Sequence, residues 1–187
     1  NKIKKIIINK KKNKKENILK FIRTYKVNIP VLYLENSIKK GNIIYDIEIN
    51  FKENSLDKIE IVGKIIDANL KILGKEKIEN VNLSFNYNEK NLEVKDINLS
   101  YKNLDFQSKN IIANIDNNLI NIKGDFKNKI NPNLASSFLD YDIKSYLDEK
   151  VLLSSESNFE IIINKKFKIK KYEIESKIDI DNININL

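Results

Sequence analysis

The sequence predicts an all-β fold: an antiparallel meander of one-sided amphipathic strands, with one or two short helices. Three observations carry this expectation. Apolar and polar residues alternate from residue 43 onward, turn signals recur about every ten residues, and no convincing crossover helix separates the strands.

The first clear row is Ile43, Tyr45, Ile47, Ile49 and Phe51, alternating with Ile44, Asp46, Glu48, Asn50 and Lys52. In an extended chain this puts one apolar row on one face. Gly41 before it and Glu53-Asn54-Ser55 after it serve as turn punctuation. The same grammar sets Ile66, Ala68, Leu70 and Ile72 against Asp67, Asn69 and Lys71. It then sets Val81, Leu83, Phe85 and Tyr87 against Asn82, Ser84, Asn86 and Asn88, with Gly74-Lys75-Glu76-Lys77 as the turn between. Leu92 and Val94, then Ile97, Leu99 and Tyr101, continue the pattern with a phase shift at Asp96 that suggests a bulge. Further rows follow at Leu104 and Phe106, Ile111 to Ile115, Ile120 to Phe126, and from Phe159 to Leu187.

Two segments break this period. Ile18, Phe21, Ile22 and Tyr25 have helical spacing, which predicts a short helix within residues 16–25, before the extended Val27–Leu34 with its edge-type Pro30. Leu134, Phe138 and Tyr141 follow Pro132 and the potential cap Asn133, which predicts a second short helix within 134–147.

The net charge is +8, but its distribution argues against a nucleic-acid reading. Residues 1–26 hold eleven basic side chains and one acid, so this stretch alone carries +10 and the remainder is slightly acidic. Few aromatics accompany the lysines, whereas single-strand binding needs stacking platforms. The chain therefore divides into a basic segment with a short helix, 1–26, and a β-rich segment, 27–187. Lys10, Lys11, Lys12, Lys14 and Lys15 are candidates for contact with an anionic surface, although a like-charged block is ordinarily solvated. Ile, Asn and Lys all have A/T-rich codons, which discounts their abundance further. The chain begins at Asn1, contains no Met and stops in a strand-like run, and is expected to be a piece of a longer protein.

Chemistry-bearing constellations are scarce. There is no His or Cys, which removes the commonest general base and zinc ligand and any disulfide. Four widely spaced glycines, Gly41, Gly63, Gly74 and Gly124, form no phosphate-cradling loop and read as turns or bulges. Asp46 and Glu48, Asp140 and Asp142, Glu173 and Glu175, and Asp179 and Asp181 are close pairs, but the strand pairs lie opposite apolar rows, on the wet face. Asn82-Leu83-Ser84 and Asn98-Leu99-Ser100 match the glycosylation sequon inside expected strands. No catalytic residue, metal or cofactor is expected. The apolar stripe itself fits either the dry core of a sandwich or an open groove for acyl chains, and periodicity leaves both open.

The words LYLENSIKKGNIIYDIEINF and IEIVGKIIDANLKIL, followed by the Asn-rich hairpins of IENVNLSFNYNEKNLEVKDINLSYKNLDFQSKNIIANIDNNLINIKGDF, resemble the repeating grammar of the AsmA-like family of bacterial envelope proteins. The resemblance spans residues 27–187. It implies an elongated, curved, taco-like sheet with an apolar interior, anchored in the inner membrane by a helix outside this stretch. It also implies a periplasmic location and phospholipid transport between inner and outer membranes. By role, Ile66, Ala68, Leu70, Ile72, Val81, Leu83, Phe85 and Tyr87 correspond to the lipid groove. The implied partners are phospholipid acyl chains and other envelope proteins. An alternative from a different class is a surface adhesin-like β domain.

Overall fold

The computed structural model describes residues 5–10, 37–53, 55–72, 76–116, 118–133, 136, 151–164 and 168–181. Nine strands run in sequence order: β1 (Lys5–Lys10), β2 (Ile38–Lys52), β3 (Ser55–Ile72), β4 (Glu76–Asn88), β5 (Asn91–Tyr101), β6 (Leu104–Ile115), β7 (Leu119–Ile130), β8 (Leu152–Asn164) and β9 (Ile169–Asp181). They form one sheet of order β1 to β9, with every neighbouring pair antiparallel and no pairing of β9 back to β1. The expected meander is thus present as a single open layer. No second sheet stacks on it among the described residues.

Local chemistry explains the hairpins. Between β5 and β6, Lys102 and Asn103 both have positive φ, 49° and 64°, and the flanking Tyr101 and Leu104 pair directly. Two left-handed residues are what a two-residue I′ turn needs to match strand twist. Between β4 and β5, Asn88 Oδ1 accepts from the backbone N–H of Lys90 and Asn91, closing the turn with a side chain.

Bulges interrupt the ladder in adjacent strands. Asp67 in β3, Asn80 in β4 and Asp96 in β5 have φ of 47°, 53° and 53°, at points where pairing shifts register. Asp and Asn tolerate this left-handed backbone better than other residues with a Cβ. The Asp67 N–H donates to Asn82 Oδ1 (3.1 Å) and Asn82 Nδ2 donates to Asp67 Oδ1 (3.2 Å); the Asn80 N–H donates to Asn69 Oδ1 (3.3 Å). In β2, Gly41 has φ 96°, and a Cβ there would lie 2.5 Å from the Ala68 backbone. In β6 the register shifts between Gln107 and Ile111, where Asp125 accepts from the Lys109 and Asn110 N–H groups. A bulge bends its strand and increases its local twist, and here such irregularities recur across β2–β6.

The phase shift expected at Asp96 is therefore a bulge. A second bulge, at Asp67, corrects the expected β3 row. Ile65 and Ala68 share the apolar face, while Ile66 lies on the opposite face at 37% exposure. The extra residue carries the phase of the strand across one position.

The basic start is not wholly a solvated segment. Lys5–Lys10 pairs with Asn50 to Tyr45 of β2, and Lys5 Nζ lies 2.9 Å from Glu48 Oε2. The helix expected within 16–25 lies outside the described residues. Within 134–147 only Ser136 is described; it and the preceding Pro132 and Asn133 have helical backbone, and no helix is defined among the described residues.

Candidate functional site

The feature that sets this molecule apart is the apolar face of its sheet, and it changes character from one edge to the other. At the β2–β4 end it is dry. Tyr45, Ile47, Ile49, Ile59, Ile61, Ile65, Ala68, Leu70, Val81 and Phe85 form one buried cluster, with Leu83 and Tyr87 packed beside it. Each such Ile or Leu contributes about 1.5–3 kcal/mol by leaving water. The neighbouring phenolic groups titrate accordingly: burial pushes the Tyr45 hydroxyl up to about 12 and raises Tyr87 with help from Glu89.

Two glycines let aromatic rings lie flat on this face. Gly63 is directly opposite Phe85 and Gly124 directly opposite Phe159. A Cβ on Gly63 would meet Phe85 Cζ at 2.5 Å, and one on Gly124 would meet Phe159 Cζ at 3.1 Å. These glycines, expected as turns or bulges, lie in mid-strand and make room for a cross-strand aromatic. Phe106, Phe126 and Phe159 then step across β6, β7 and β8 with ring centroids 6.0 Å apart.

Beyond β5 the face acquires small polar groups. Ser108 is buried opposite Ile97, Ser155 Oγ donates to Asn128 Oδ1, and Ser157 and Ser176 share a hydrogen bond of 2.8 Å. At β9 the face opens. Ile169, Tyr172, Ile174 and Ile178 are 62%, 68%, 56% and 63% exposed, and they pair with Ile163, Ile161, Phe159 and Ser155 of β8, on the same face as the buried rows.

The opposite face is ordinary wet surface. Lys58 pairs with Glu60 (2.9 Å), Lys95 with Glu93 (2.9 Å) and Lys123 with Glu160 (3.1 Å). Hydrogen bonds from Lys5 and then Asn50 hold the Glu48 carboxylate below its usual range, and those from Asn121 and then Lys123 do the same for Glu160. Two shallow depressions of about 380 and 460 Å³ lie here, the first around Ile44, Val62 and Lys64, the second around Gln107, Lys127 and Glu156. Among the described residues no group of three or more acidic side chains is arranged to hold a metal ion, and no helix is long and apolar enough to cross a membrane.

Of the residues expected to line a groove, Ala68, Leu70, Val81 and Phe85 are buried in the β2–β4 cluster, Leu83 and Tyr87 are partly buried beside it, and Ile66 faces the other way. Ile72 ends β3 opposite Glu76. Lys10 ends β1 opposite Tyr45, while Lys11, Lys12, Lys14 and Lys15 lie outside the described residues. The sequence reading missed Ile65. It also did not separate the β9 row, whose alternation resembles the others but which is the accessible part of the face.

No protein-family model matches the chain, and no curated protein or solved structure matches it either.

Proposed function

We propose that this chain is a lipid-conducting segment of an AsmA-like envelope protein, carrying phospholipid acyl chains between inner and outer membranes. The segment sits in the periplasm, anchored to the inner membrane by a region outside this stretch. The supporting observation is one apolar face that runs across a single-layer open sheet and ends in four exposed large apolar side chains on β9. A soluble monomer rarely leaves such a row uncovered without a ligand or partner for it. Acyl chains lie along Ile169, Tyr172, Ile174 and Ile178, sheltered from water, while headgroups stay in solvent. Passage is passive, because apolar contact is non-directional and no group holds the chain tightly. Ser157 and Ser176, satisfied by one another, interrupt the face without leaving an open polar site. The proposal assigns no catalysis and no cofactor.

The test places a photoreactive residue at Tyr172 or Ile174, with Glu173 on the opposite face as control, in protein expressed in a diderm host. Mass spectrometry of the adducts is expected to show phospholipid at 172 and 174 and none at 173. Absence of lipid at all three positions, with the sheet intact by circular dichroism, overturns the proposal.

A further inference from the structure

We infer that the small polar groups set into the apolar face at β6–β8 form a site for the ester carbonyls of a diacyl phospholipid, with Asn128 and Ser108 as the hydrogen-bond donors. The inference rests on the acyl-transport reading and names the part of the lipid that this face recognises.

A face that serves only as dry core or acyl surface has no use for amides and hydroxyls, because each costs free energy to bury unless it is paired. Yet this face carries Ser108 on β6, Asn128 on β7 and Ser155 on β8. The register brings them together: Asn128 lies directly across from Phe106 on one side and from Ser155 on the other, and Ser108, two positions along β6 from Phe106, is its diagonal neighbour. Diagonal positions on one face are about 7–8 Å apart, within reach of two groups on one small ligand. The rings of Phe106 and Phe126 share the same face, with 6.0 Å between their centroids. In such apolar surroundings a hydrogen bond is stronger than in water.

The balance of donors and acceptors selects the ligand chemistry. Ser155 Oγ donates to Asn128 Oδ1, which leaves both N–H groups of that amide without an acceptor among the described residues. Turning the amide over still leaves one, since Ser155 occupies only one of the two N–H groups. Ser108 is 8% exposed, and its hydroxyl makes no hydrogen bond. The surplus is therefore in neutral donors. No charged side chain shares this face at Phe106 and Ser108, Phe126 and Asn128, or Ser155 and Ser157, so a phosphate or a free carboxylate brings an uncompensated charge into apolar surroundings. An ester carbonyl is a neutral acceptor with no donor of its own. A diacyl lipid carries two of them, one for each donor, joined to the acyl chains that the rest of the face receives. Asn128 is half-buried and meets the lipid first. The Ser108 hydroxyl is closed to solvent and turns to the second carbonyl by rotation about its Cα–Cβ bond. Neutral hydrogen bonds exchange readily, so the site sets the posture of the lipid on the face without trapping it.

The test is native mass spectrometry of the chain with equal amounts of an ester-linked phosphatidylethanolamine and its ether-linked counterpart of the same chain length. The ether lipid keeps the chains and the headgroup but lacks both carbonyls. The ester lipid is expected to be bound roughly 3- to 10-fold more than the ether lipid, the worth of about one neutral hydrogen bond. Asn128→Leu is expected to bring that ratio to one while leaving binding of the ether lipid unchanged, and Ser108→Ala to lower it. Ser108→Ala removes a buried hydroxyl that has no partner, so its denaturation midpoint is expected to stay or rise, which keeps the test decisive if Asn128→Leu does not fold. Equal binding of the two lipids by the unmodified chain overturns this inference and leaves acyl transport standing, whereas binding of neither overturns both. An ester preference that survives in Ser108→Ala and Asn128→Leu alike overturns the assignment of the site to these residues.

Discussion

Glycine in the interior of a strand costs about 0.5–1 kcal/mol relative to alanine through lost backbone freedom, so Gly63 in the middle of β3 needs a reason. That reason is the Phe85 ring directly across from it. Gly63→Ala drives a methyl to 2.5 Å from Phe85 Cζ and 2.6 Å from the Ile44 carbonyl, and backbone cannot yield as a side-chain tip can. We expect a loss of about 1–3 kcal/mol, the ordinary cost of overpacking, read as a lower denaturation midpoint with an unchanged slope. Tyr45 makes a second residue-scale prediction. Its hydroxyl titrates near 12 in the folded chain against an ordinary 10.0, because burial penalises the phenolate. A group whose folded value is raised contributes stability that is intact below the unfolded value and is lost as pH climbs through the folded one. The chain is therefore expected to weaken between pH 10 and 12, and Tyr45→Phe to flatten that decline in a urea series at stepped pH.

Whole strands were legible wherever a polar residue marked each step of the alternation. Ile43 to Phe51 in β2 and Val81 to Tyr87 in β4 read correctly because one face carries only apolar and the other mostly polar side chains. At Asp96 the shift was visible because Val94 and Ile97 are both apolar and three apart. At Asp67 it was not, because Ile65 and Ile66 are equally apolar and either continues the row; only the left-handed backbone of Asp67 and its bonds to Asn82 settle the phase. The bulge in β6 falls in Gln107-Ser108-Lys109-Asn110, a polar run with no phase to read. β1 was hidden for another reason: its Ile6-Ile7-Ile8 core is flanked by lysines, and nothing local reveals that Glu48 waits across the strand. That pairing is testable by acid. The Glu48 carboxylate is held below its usual range by Lys5 and Asn50, so its contribution is present above the unfolded value and lost as pH falls through the folded one. Protection of β1 amides, taken relative to the intrinsic exchange rate at each pH, is expected to fall on acidification through the carboxylate range by more than it does in β7, and Lys5→Gln is expected to reduce the difference.

At the scale of the molecule, each strand pairs only with its sequence neighbours among the described residues and packs mainly against them, so stability is close to a chain of neighbour terms rather than one shared core. Burial is concentrated in β2–β4 and thins to an exposed row on β9, which orders the strands by local stability. The single-layer order of the strands, and the side on which the face stays open, were not legible from periodicity, because a sandwich core and a trough wall carry the same alternation. Two aspartates at matched inner positions separate the two ends. Ile47→Asp puts an unpaired charge where exposure is 0% and is expected to unfold the sheet or cost about 3–5 kcal/mol, as an uncompensated buried charge does. Ile174→Asp, at 56% exposure, leaves its charge in water and is expected to change stability by under about 1 kcal/mol. If β9 is a lipid-contacting rim, the second variant nonetheless loses co-purified phospholipid, since a solvated carboxylate in an apolar path repels acyl chains without touching the fold. Chemical denaturation of both variants beside lipid analysis of Ile174→Asp decides the matter: equal destabilisation means that the face is one sealed core, whereas a folded Ile174→Asp protein stripped of lipid means that its accessible end is where the chain meets its cargo.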